Sequence, residues 1–111
     1  MIMPYGLTDI ELQKLLDVFV QNERIDKVVL YGSRAKGNFK PFSDVDITLV
    51  GSELSRDDLN KVILEIDDLL LPYQFDVSLK HKLKNAALID HIERRGVEIY
   101  KKENWGECKL K

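Results

Sequence analysis

"LYGSRAKGNFKPFSDVDITLV", residues 30–50, ends one apolar run on a glycine-serine pair and sets two aspartates, one residue apart, at the opening of the next. The runs themselves, KVVLY (27–31) and VDITLV (45–50), are short, β-branched and stopped by Gly32 and Gly51, which predicts two strands. The link from Tyr31 to Val45 is short, so the end of the first strand and the start of the second lie close together, and an antiparallel pairing is expected.

Working outward, Thr8 with Glu11 three residues later reads as a capping box, and Leu12, Leu15, Leu16 and Phe19 recur at helical spacing, which predicts a helix over 8–21. Ser55 opens a second helix with acidic residues in its first turn. Leu59, Val62, Ile63, Ile66 and Leu70 mark its apolar face and Pro72 closes it. A third strand is expected at 74–79, parallel to the second because a long helix joins them, then a helix from Asn85 to near Gly96 and an edge strand at 97–100. The order predicts an α/β (α+β) domain over residues 1–102, a small mixed sheet with helices packed against it, and a flexible tail over 103–111.

Composition narrows the class. The 111 residues fit one domain, and 44% apolar with 32% charged residues is ordinary for a globular protein. A net charge of -2 gives no basic field for DNA. Cys108 is single, which excludes an intrachain disulfide. The sequence shows no long apolar stretch and no basic-then-apolar leader, so neither a spanning helix nor a signal peptide is expected and the cytoplasm is the default.

The chemistry converges at one end of the predicted sheet, where Gly32, Ser33, Asp44, Asp46 and Asp76 meet. Asp44 and Asp46 are two apart on a strand, so they project from the same face with Cα atoms roughly 6.5 Å apart. Unpaired charges about 6 Å apart repel by about 2 to 3 kcal/mol at an effective dielectric of 20. A cation relieves that repulsion, and hard oxygen donors select magnesium or manganese over zinc. Asp76 sits between Phe75 and Val77, an apolar setting that also calls for a partner. Three carboxylates on adjacent strands suit two metal ions about 3.5 to 4 Å apart, a spacing that clamps displacement at phosphorus. Gly32 lets a backbone approach phosphate, Ser33 adds free N–H groups and a hydroxyl at a short helix start, and Arg34 and Lys36 add positive charge where a polyphosphate would lie.

Gly32-Ser33, ten intervening residues, then Asp44-Val45-Asp46 resembles the signature of the DNA polymerase β-type nucleotidyltransferase superfamily, and GSRAKG followed by SDVDI resembles its small stand-alone branch, the minimal nucleotidyltransferases. The resemblance implies the nucleotidyltransferase fold and transfer of a nucleoside monophosphate, usually AMP from ATP, to a hydroxyl with release of pyrophosphate. It implies that Gly32 and Ser33 hold the β and γ phosphates, that Asp44 and Asp46 coordinate two magnesium ions, and that Asp76 completes the site and helps to activate the acceptor. Lys36 stands where many relatives have arginine. Members of this branch commonly accompany a HEPN-domain protein, often a ribonuclease toxin, and act as its antitoxin by binding or by adenylylation. Larger relatives carry a second domain for the acceptor, so here the acceptor surface is expected from a partner chain or a second copy.

Plainer readings stand beside these. Strand aspartates mostly face solvent, and a glycine-serine pair is often only a turn. The lysines at 80, 82 and 84 read as a solvated loop face, His81 and His91 lack ligand spacing, and Tyr31 and Phe39 flank the phosphate loop, with packing the first role expected of Tyr31. The alternative to an enzyme is a non-catalytic module that masks a partner, for which neither the three carboxylates nor Ser33 would be needed.

Overall fold

Thr8 and Glu11 cap each other as their spacing requires: the Glu11 N–H donates to Thr8 Oγ1 at 3.1 Å and the Thr8 N–H to Glu11 Oε1 at 2.9 Å. From that box runs α1 (Asp9–Val20). The computed structural model describes residues 6–37 and 43–102. Within them follow β1 (Lys27–Tyr31), α2 (Ser33–Lys36), β2 (Val45–Val50), α3 (Arg56–Asp68), β3 (Phe75–Leu79), a 3-10 turn, α4 (Ala86–Arg95) and β4 (Val97–Lys101). Phe39, Cys108 and the tail 103–111 lie outside the described residues.

The four strands form one mixed sheet in the order β3-β2-β1-β4. As the connection lengths require, β1 and β2 are antiparallel, with Tyr31 opposite Asp46, and β2 and β3 are parallel, with Asp46 beside Asp76. β4 pairs antiparallel with β1 at the far edge.

Alternation along the strands divides the core into two faces. Val28, Leu30, Val45, Ile47 and Leu49 pack with Leu15 and Phe19 of α1 and Val62 and Ile66 of α3 in the main cluster. The opposite face carries Val29 and Tyr31, packed with Ile92 of α4. The same alternation puts Asp46, Thr48, Asp76 and Ser78 on this second face, and Ser78 Oγ donates to Thr48 Oγ1 at 3.0 Å. One side of the sheet is thus apolar throughout and the other is half polar.

The second long helix departs from the sequence reading. It stops at Asp68 with Leu69 as its cap, because proline disfavours helical backbone in the residue before it and Leu70 already turns to φ 56°. Leu70 is 87% exposed and Ile63 37%, so neither belongs to the buried face expected for it. Among the described residues no helix is long and apolar enough to cross a membrane.

Candidate active site

β1 delivers the chain to Gly32, which turns at φ 80°, ψ -155°, backbone that side-chain-bearing residues avoid. Asp46 explains why the position is glycine: a Cβ on Gly32 would collide with its Oδ2. The Gly32 N–H donates to His91 Nε2 at 3.1 Å. The Lys36 N–H to Gly32 O and Gly37 N–H to Ser33 O bonds, 3.2 and 3.0 Å, close the single turn of α2. Ser33 stands half-buried at its first position, where a helix N–H has no acceptor within the helix.

The carboxylates gather on the half-polar face. Asp46 and Asp76 are register partners on neighbouring parallel strands, and residues so paired project to the same side. Asp46 is half-buried, whereas Asp44, just ahead of β2, and Asp76, on the edge strand, are exposed. Burial pushes the Asp46 carboxyl above its ordinary value, the Asp76 and Asp44 charges add to this, and His91 opposes them. Among the described residues no three His, Cys, Asp or Glu side chains come together closely enough to hold a metal ion. The structure sets Asp76 beside Asp46 in register and Asp46 against the glycine turn.

Tyr31 packs as expected: it is buried and meets the His91 ring edge-on, with centroids 6.2 Å apart at 78°. Burial raises its phenol pKa, and the Asp76 and Asp46 charges raise it further.

Arg34, expected to add charge beside a polyphosphate, is 2% exposed: its Nε and Nη2 donate to Ser43 O at 3.2 and 2.8 Å, and it lies 4.8 Å from the centroid of the Tyr73 ring. An arginine fork can bind a carbonyl and an aromatic face at once, and here it ties α2 to the segment leading into β2. Lys36 is exposed and lines an open groove with His91, Arg94 and Arg95. Lys80 pairs with Glu93 at 3.3 Å, while His81, Lys82 and Lys84 are exposed. The residue that sequence reasoning passed over is His91, whose contact with Gly32 spans 59 positions and leaves no local signal.

Comparisons with known proteins bear on the family and the fold. The family described as Polymerase beta, Nucleotidyltransferase matches residues 13–104. Two Methanocaldococcus jannaschii proteins are similar in sequence. "Putative protein adenylyltransferase MJ0141" is 29% identical over 83 residues, 72% of this chain and 84% of that one. "Putative protein adenylyltransferase MJ0604" is 32% identical over 82 residues, 74% of this chain and 66% of that one. A solved structure described as a toxin-antitoxin with AMP-PNP shares the fold at a TM-score of 0.67 and 16% identity, over 87% of this chain and 78% of that one. A second, described as a tri-AMPylated Shewanella oneidensis HEPN toxin in complex with MNT antitoxin, does so at 0.62 and 13% identity, over 91% and 76%.

Proposed function

This chain belongs to the polymerase beta nucleotidyltransferase family, and from that premise we propose that it moves AMP from ATP to a hydroxyl side chain of a HEPN-type toxin, as that toxin's cytoplasmic antitoxin. The observation that carries the reading is the glycine turn pressed onto Asp46, with Asp76 beside Asp46 in register. The adenylyltransferase relatives support AMP as the transferred group, and the HEPN toxin–MNT antitoxin complex on the same fold supports the partner.

In this reading Ser33 holds the β and γ phosphates through its N–H and hydroxyl. Gly32 contributes by shape, its own N–H being given to His91. Asp44, Asp46 and Asp76 would hold two magnesium ions, with manganese able to replace them; such ions neutralise phosphate charge and polarise the reacting oxygens. Asp46 supports that role, since it carries negative charge that burial and its acidic neighbours disfavour and a hard cation would offset. The acceptor oxygen attacks the α-phosphorus, the bond from that phosphorus to the bridging oxygen breaks, and pyrophosphate leaves with the electron pair. Asp76, exposed on the edge strand where an acceptor can arrive, takes the hydroxyl proton.

The test is intact mass of a candidate HEPN-type partner after incubation with this chain, ATP and magnesium, beside S33A and D44N controls. Mass gains in whole AMP units that vanish in both controls are expected. An unmodified partner, inhibited equally by wild type and both variants, would assign the chain to masking instead.

A further inference from the structure

Two contacts single out His91. Its Nε2 accepts the Gly32 N–H at 3.1 Å and its ring stands edge-on to Tyr31. Both partners belong to the glycine turn or the strand that leads into it, whereas His91 comes from α4. Gly32 holds φ 80°, ψ -155°, one of several backbone basins open to glycine, so its surroundings must select this one. The flanking bonds, Lys36 N–H to Gly32 O and Gly37 N–H to Ser33 O, restrain the helix side of the turn. On the strand side the bond to His91 restrains the peptide that enters it.

We propose that His91 is a positioning residue for nucleotide binding: by accepting the Gly32 N–H it holds the turn that presents Ser33 to the triphosphate. This deepens the nucleotidyl-transfer reading and rests on it. As the acceptor, Nε2 carries no hydrogen, so the neutral ring keeps its hydrogen on Nδ1. The acceptor, not the ring volume, is the working part. A glutamine can place its Oε1 near the position of Nε2 and take the same N–H; phenylalanine fills the space against Tyr31 but accepts nothing.

The experiment compares full-length wild type, H91Q and H91F, with circular dichroism confirming the fold. Calorimetry measures affinity for AMP-PNP with magnesium, steady-state pyrophosphate release gives kcat and KM for ATP, and NMR follows exchange of the Gly32 amide. H91F should weaken AMP-PNP binding about five- to tenfold, the worth of one hydrogen bond, raise KM with little change in kcat, and speed Gly32 exchange. H91Q should restore most of each. An H91F variant that binds as tightly as wild type, or an H91Q variant as impaired as H91F, would overturn the assignment while wild-type binding leaves the enzyme reading intact. Wild-type protein that binds no AMP-PNP would overturn the enzyme reading and this inference with it.

Discussion

Asp46 Oδ2 occupies the space that a Cβ on Gly32 would need, so the glycine turn and this carboxylate are fitted to each other across 14 positions of sequence. Gly32→Ala therefore meets two penalties, a side-chain-bearing residue at φ 80° and a collision that must push Asp46 aside. The backbone term alone is about 1 to 3 kcal/mol. Denaturant unfolding should show a loss of at least that size, and pyrophosphate release should fall to background. A variant with wild-type stability and turnover would show that the fit is unnecessary.

Arg34 gives an opposite pattern. Because its guanidinium is buried on Ser43 O and Tyr73, Arg34→Met should cost stability rather than nucleotide affinity. The charged hydrogen bonds lost are worth about 1.5 to 3 kcal/mol. Arg34→Lys should recover only part, since an ammonium cannot reproduce the planar fork. Chemical denaturation, paired with KM for ATP at a temperature where both proteins are folded, separates the roles. A raised KM with unchanged stability would return Arg34 to the phosphates.

What the sequence revealed follows the range of each interaction. The Thr8–Glu11 cap is a three-residue signal and formed as read, and strand sense followed from connection lengths alone. Gly32, Asp46 and Asp76 were legible because strand alternation and the parallel crossover fix where they meet. The direction of the Arg34 side chain was not, because Ser43 and Tyr73, which capture it, lie in other parts of the chain. Apolar residues at helical spacing also mark a stripe without saying how wide its cover is. Ile63 stands at the exposed margin of that stripe, and Leu70 follows the end of α3.

Asp58 should govern part of the acid sensitivity. Its Oδ2 accepts from the Ser55 N–H at 2.9 Å and the Ser55 hydroxyl at 3.1 Å, while Oδ1 accepts from Asn22 Nδ2 at 3.2 Å and Arg24 Nη1 at 3.1 Å. The Ser55 backbone bond, ahead of the side-chain bonds and the Arg24 charge, holds its carboxyl below the ordinary 3.8. A folded-state pKa below the unfolded one means stabilisation present above pH 3.8 and lost as pH falls through the lowered value. Asp58→Ala should cost about 1 to 2 kcal/mol at neutral pH, the worth of a helix cap. Urea titrations between pH 7 and 2.5 should show the gap to wild type closing on the acid side. A gap constant across that range would deny the linkage.

Asp46 has the reverse sign. Its carboxyl is raised by burial first and then by the Asp76 and Asp44 charges, so the charged form is the one the fold disfavours. Its contribution is greatest below the unfolded pKa and is lost as pH rises through the raised folded value. Asp46→Asn keeps the shape and removes the charge, so at neutral pH the metal-free variant should melt above metal-free wild type. Magnesium should invert that order, because a cation relieves the repulsion only where the carboxylate is present to bind it. Ligand at 100 times its dissociation constant adds about 2.7 kcal/mol when it binds the folded state alone, and ATP with the metal should add more. Differential scanning calorimetry of both proteins, with EDTA, with magnesium, and with magnesium and ATP, tests all three statements. Equal magnesium shifts in wild type and Asp46→Asn would remove Asp46 from the metal site, and no shift in either would remove the metal site itself.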